Sequence, residues 1–141
     1  MGEVKVKVKL TNPFDKAMVR EGVKKSEEIR TLEAVALVDE GAVQCVLPQH
    51  IVDALGLKGV HRQTVQYADG RSDIVDVVEP VLMEIIGRKT YEECLVLGDE
   101  VLIGQTALEK TDLHVDCRNR SILPNPAHPN QPIIKVRGFA S

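Results

Sequence analysis

The chain has 141 residues, 43% of them hydrophobic, which suits one domain with a core of ordinary density. Its 18 basic and 21 acidic side chains leave a formal charge of -3, so no global field favours nucleic acid or an acidic membrane; two Tyr, two Phe and no Trp give bases little to stack on. No run approaches the ~20 apolar residues of a membrane span and residues 1–6 lack an apolar signal core, so a cytoplasmic protein is expected.

Val4, Val6, Val8 and Leu10 alternate with Lys5, Lys7 and Lys9, the period-two pattern of a strand over 4–10 with one apolar face. The lysines suit a sheet edge guarded against other chains. Asn12-Pro13 ends the run, and the charged segment 20–30 reads as a loop. Residues 32–38 are apolar and β-prone apart from Glu33, and they lead directly into Asp39-Glu40-Gly41-Ala42, so a buried strand delivers an acid to a tight turn. A short strand follows at Cys45-Val46-Leu47. Pro48 then suits the first turn of a helix carrying Ile51, Val52 and Leu55, with Gly56 as its stop.

The Asp-Gly pair of Ala68-Asp69-Gly70-Arg71, between β-prone runs at 60–67 and 74–78, predicts a projecting hairpin. A second hairpin is expected from 81–86 through a turn at Gly87-Arg88-Lys89 into 90–97. Val101-Leu102-Ile103-Gly104 is an apolar strand closed by glycine, and 105–110 has the composition of one or two helical turns, an echo of the earlier strand, turn and helix. Residues 113–116 and 121–123 form a last strand pair. Four of the seven prolines fall between 124 and 132, ahead of a short final strand at 133–136. Pattern alone gives a mostly β domain, closed or sandwich-like, with two short helices.

The three cysteines, Cys45, Cys94 and Cys117, share no Cys-x-x-Cys spacing and read as buried thiols rather than a disulfide framework or zinc site. His50, His61, His114 and His128 have no metal-ligand spacing, so neither metal nor cofactor is expected. Asp39 is the sharpest chemical candidate, an acid at the end of an apolar strand on a glycine turn. The same features also describe an Asx-turn carboxylate bonded to backbone amides, and composition leaves both readings open.

Motif order adds to this. The segments 36–42 (Ala-Leu-Val-Asp-Glu-Gly-Ala), Val46-Leu47-Pro48 and Ala54-Leu55-Gly56-Leu57 resemble the active-site region of retropepsin-like aspartic proteases, where an apolar strand leads to Asp-Thr-Gly or Asp-Ser-Gly. Tyr67-Ala68-Asp69-Gly70-Arg71 is similar to that family's flap tip, and Val101-Leu102-Ile103-Gly104 to its apolar-apolar-Gly signature. The likeness spans residues 31–123, within a single domain over 1–141 whose Pro-rich C-terminal extension occupies 124–141.

The resemblance implies a closed acid-protease barrel with one or two short helices, and a homodimer in which two Asp39 carboxylates meet across a twofold axis. Such a pair shares one proton, and one member acts as general base on a water while the other polarises the scissile carbonyl. It also implies that Gly41, Ala42, Ala68, Asp69 and Gly70 border an extended peptide substrate, and that the strands at 4–10 and 133–136 are available for pairing between subunits. Glu40 departs from the family pattern, because a hydroxyl residue is expected beside the catalytic acid. Two subunits could gather four carboxylates, and like charges about 4 Å apart cost a few kcal/mol even at high effective dielectric. Three outcomes follow: Glu40 turns outward, it is protonated in place of the hydroxyl, or the protein is a catalytically impaired dimeric peptide-binding or regulatory module.

Overall fold

The computed structural model describes residues 3–137. Within them the chain runs β1 (Lys5–Thr11), α1 (Pro13–Arg20), β2 (Thr31–Val38), β3 (Val46–Leu47), α2 (Gln49–Leu55), β4 (Gly59–Gln66), β5 (Ser72–Val78), β6 (Val81–Ile85), β7 (Arg88–Glu92), β8 (Leu95–Val96), β9 (Val101–Ile103), α3 (Gln105–Thr111), β10 (Leu113–Asp116) and β11 (Ser121–Pro124). Nine strands form one sheet in the order β4-β5-β8-β3-β9-β2-β1-β6-β7, and β10 and β11 form a separate ribbon. The protein is mostly β, as its alternating patterns indicate. The large sheet curls into a half-barrel whose edges are β4 and β7, so the closed barrel expected from the sequence is not formed among the described residues.

Leu10, Leu47, Leu55, Met83, Ile85 and Ile103 are fully buried inside the curl, each contributing about 1.5–3 kcal/mol by leaving water. The alternation of β1 holds, with Val8 and Leu10 buried and the lysines exposed. Its placement does not. β1 pairs with β2 along its whole length and with β6 over Val8–Thr11, so it is an interior strand there and only its first residues keep a free side. Lys9 lies between Glu33 and Glu84 in register, where opposite charges on neighbouring strands favour pairing. Lys9 therefore faces solvent from within the sheet, whereas Lys5 and Lys7 lie on the stretch of β1 that pairs with β2 alone and keeps a free edge.

α1 is a third helix, at a point where the sequence pattern predicts only the end of a strand. Asn12-Pro13, read as a break, is instead a helix start. The Asn12 Oδ1 accepts the N–H groups of Phe14 (2.8 Å) and Asp15 (3.1 Å), and Pro13 occupies the first turn. The Asn12 Nδ2 donates to the Leu55 carbonyl at 2.7 Å, so one amide joins the start of α1 to the end of α2. Buried Asp15 accepts from the Arg30 backbone N–H (3.0 Å), Arg30 Nε (2.9 Å) and Nη2 (2.9 Å), and Lys24 Nζ (2.7 Å). The Arg30 guanidinium, helped by Lys24, holds the Asp15 carboxyl well below the usual carboxylate range despite its burial. The charged segment between α1 and β2 is otherwise loop, apart from a single 3₁₀ turn at Ser26–Glu28.

Two further boundaries differ. Ile85 pairs with Arg88, so the second hairpin turns on Ile86 and Gly87, both at positive φ (50° and 76°), and Arg88 and Lys89 belong to β7. The strand expected over 90–97 breaks at Glu93-Cys94, which lets β8 leave the hairpin and pair with β3 and β5. Residues 133–136 form no strand. Their approach is tied down instead, because the Asp112 carboxylate accepts from Asn125 Nδ2 (2.9 Å) and the Ile133 N–H (3.0 Å) and meets His128 Nδ1 at 2.7 Å. These contacts, Asn125 first, hold the Asp112 carboxyl down at about 2. The last four residues of the Pro-rich extension, 138–141, lie outside the described residues.

Candidate active site

Asp39 follows directly on β2, whose last residues run parallel to β9 in the register Ala36 to Val101, Leu37 to Leu102 and Val38 to Ile103. β3 flanks the other side of β9 through Val46 and Leu102. The Asp39 N–H donates to the Ile103 carbonyl at 2.9 Å, so the ladder extends to the acid itself. The chain then turns. The Asp39 carbonyl accepts the Ala42 N–H (3.2 Å) and the Asp39 Oδ1 accepts the Gly41 N–H (3.0 Å). The Asx-turn reading of Asp39 is thus correct as geometry, and the side chain is half-buried, its second oxygen making no hydrogen bond among the described residues.

The segment from 39 to 45 is pressed against the start of α3. Gln105 N–H donates to the Ala42 carbonyl (2.7 Å), and both the N–H (3.1 Å) and the Oγ1 (3.0 Å) of Thr106 reach the Val43 carbonyl. The Thr106 hydroxyl also stands 2.9 Å from buried Glu92, which accepts from Thr90 Oγ1 at 2.6 Å and pairs with Lys110 at 2.7 Å. A Cβ on Gly104 would lie 2.5 Å from the Gln44 carbonyl oxygen and 2.8 Å from that of Val43. Only glycine permits this approach, which is the physical reason for a glycine closing the apolar strand β9. The Gly104 N–H points to the Cys45 sulfur at 3.4 Å.

The β4–β5 hairpin projects across from this turn. Its tip is closed by Gly70 N–H to the Tyr67 carbonyl (2.9 Å), with Gly70 at φ 90° and Asp69 paired to Arg71 at 2.7 Å. The Arg71 backbone N–H and guanidinium hold exposed Asp69 below its ordinary value. Between turn and hairpin lies a cleft of about 640 Å³ lined by Asp39, Gly41 and Ala42 on one side and the stretch from Gln63 to Ala68 on the other. Asp39 is the one charged side chain in that lining among the described residues.

Of the residues singled out from sequence, Asp39, Gly41, Ala42 and Ala68 meet in this cleft. Asp69 and Gly70 sit at the exposed hairpin tip and do not line it. Glu40 faces elsewhere, into a separate cavity of about 470 Å³ bordered by Gln105, Glu109, Asp112 and His114. Gln44, Leu95 and Leu97 also line the Asp39 cleft, and nothing local in the sequence marks them, because β8 comes to the site through its pairing with β3 and β5. Cys45 and Cys94 are buried as expected, whereas Cys117 is exposed. Among the described residues no group of three or more His, Cys, Asp or Glu is placed to hold a metal ion, and no helix is long and apolar enough to cross a membrane. No protein-family model matches the sequence, and no curated protein matches it significantly.

Proposed function

We propose that this protein is an aspartic endopeptidase that acts as a homodimer, with the two Asp39 carboxylates sharing a proton and activating water against an extended peptide. The reading rests on the site's geometry together with the motif resemblance. The observation that carries it is the placement of Asp39, the one charged side chain among the described lining residues, in a cleft it shares with residues of the β4–β5 hairpin. One chain brings one acid to that cleft, so general-base and general-acid roles need a second copy. Because Glu40 points into a different cavity, two subunits can bring their Asp39 residues together without adding a second pair of carboxylates, which favours the outward orientation among the three considered. In such a dimer the hairpin would close over the peptide and exclude water.

A second reading, a dimeric peptide-binding module without proteolysis, is favoured by one feature. Glu40 has no hydroxyl with which to brace the two turns across a dimer axis. The test is cleavage of an unfolded protein between about pH 4 and 7, where shared-proton dyads work, by wild type, Asp39→Asn and Glu40→Thr, with sedimentation run on the same samples. The protease reading expects a wild-type dimer whose cleavage disappears in Asp39→Asn and persists in Glu40→Thr. An inert wild-type dimer that gains activity through Glu40→Thr would make it a binding module. A monomer without activity in any variant would remove both.

A further inference from the structure

Cys45 and Cys94 stand immediately before β3 and β8, and the parallel register of Val46 with Leu95 sets them side by side. The Leu95 N–H donates to the Cys45 carbonyl at 3.0 Å, which fixes that register at the cysteines themselves. Neighbouring strands are about 4.8 Å apart, inside the Cα separation of roughly 4.4–6.8 Å that a disulfide spans. Both side chains are fully buried in the same core cluster, so they leave the sheet on the same face.

The two sulfurs are chemically unequal. The neighbouring Cys94 thiol lowers the Cys45 pKa, the Gly104 N–H adds to that, and together they outweigh burial; the Cys94 sulfur itself stands 3.7 Å from the Glu92 carbonyl. The same contact, with burial, pushes Cys94 well above the ordinary thiol value. Of the charged neighbours, Glu92 opposes ionisation of both thiols and Lys110 favours it at Cys45. One thiol is therefore disposed to act as nucleophile while the other stays protonated. Solvent comes close: Gln44 and Glu93, the residues preceding the two cysteines, are bridged by a Gln44 Nε2 to Glu93 carbonyl contact of 3.4 Å on the wall of a surface cleft of about 410 Å³.

We propose that Cys45 and Cys94 form a site of reversible oxidation, reacting with a peroxide to give a disulfide between β3 and β8. The Cys45 thiolate attacks one peroxide oxygen and breaks the O–O bond, giving a sulfenic acid on Cys45 and releasing hydroxide or alkoxide. The Cys94 sulfur then attacks the Cys45 sulfur. The sulfenic hydroxyl leaves as water with the Cys94 proton, and the two electrons lost by the thiols have reduced the peroxide. Neither sulfur lines the Asp39 cleft, but Gln44, Val46 and Leu95 beside them do, so the bond would tie two of its walls. The proposal is independent of proteolysis.

The test uses the Cys117→Ser protein, in which the exposed thiol cannot cross-link molecules, treated with hydrogen peroxide and measured by thiol titration, intact mass and peptide mapping. The expected result is a fall from two free thiols to none, loss of the mass of two hydrogen atoms, a peptide joining Cys45 to Cys94, and full reversal by a dithiol. Adding Cys94→Ser should halt the reaction at a Cys45 sulfenic acid that dimedone captures. Persistence of both thiols in the folded protein, while the urea-unfolded protein is oxidised, would overturn the proposal. So would sulfinic acid at Cys45 with Cys94 still free.

Discussion

Gly104→Ala tests whether the glycine that closes β9 holds the Asp39 turn in place. The added methyl would meet the Gln44 carbonyl oxygen at 2.5 Å, its carbon at 2.6 Å and the Val43 oxygen at 2.8 Å. All three are backbone atoms, so no side chain can swing aside. Restoring an ordinary contact of about 3.4 Å requires the segment from 39 to 45 to move away from α3 by about 0.9 Å, which stretches the Gln105 and Thr106 bonds to Ala42 and Val43. Overpacking of this kind costs about 1–3 kcal/mol, a sizeable part of a typical total stability of about 5–15 kcal/mol. Gly59→Ala is the control, because nothing lies within 4 Å of its Cβ position, and it should change stability by no more than about 0.5 kcal/mol. The assay is urea unfolding of both variants, with hydrogen exchange at the Gln105 and Thr106 amides. A wild-type unfolding midpoint for Gly104→Ala, or retained protection of those two amides, would show that the glycine does not hold the turn in place.

Asp15→Asn should lower stability by about 3 kcal/mol, the low end for breaking a buried pair, because Arg30 and Lys24 retain access to water. Since the folded carboxyl is depressed by Arg30 and then Lys24, its contribution is complete above the unfolded value of about 3.9 and is lost as pH falls towards the folded one. Urea midpoints of wild type should therefore decline below about pH 4 and those of Asp15→Asn should decline less; equal acid slopes would sink the argument. Asp112→Ala should release the C-terminal extension, raising exchange of the Ile133 amide about ten-fold, as expected for losing a bond to a charged acceptor, while β1 amides are unaffected. Unchanged exchange at Ile133 would mean that other contacts hold the extension.

Local patterns were legible where the physics is local. The Asp-Gly hairpin, the Gly56 stop and the strand running into Asp39 all depend on residues within a few positions, and they fall where the sequence puts them. Asn12-Pro13 shows the limit of such signals, because the same dipeptide ends a strand and starts a helix, and the contacts that favour the helix come from Leu55, Lys24 and Arg30. Whether β1 is an edge depends on β6, more than seventy residues away in sequence, and no alternation of valine and lysine encodes that. The same holds for the site. Asp39, Gly41 and Ala42 were legible as a motif, whereas the cleft walls from β8 follow only from strand order, and the cavity that Glu40 lines is built by α3 and β10, far along the chain.

The parallel pairing of β2 with β9 joins Ala36 to Val101, which carries a kinetic consequence. The β1–β2, β4–β5 and β6–β7 pairs close short or moderate loops, while the bond from Asp39 to Ile103 closes a much longer one and must recoup that entropy late. The acidic turn, although encoded by four consecutive residues, would be among the last parts of the molecule to take shape. A nascent chain emerging from the ribosome would carry its Asp39 segment unformed until β9 arrived, so any activity residing there would be withheld until nearly the whole sheet was complete.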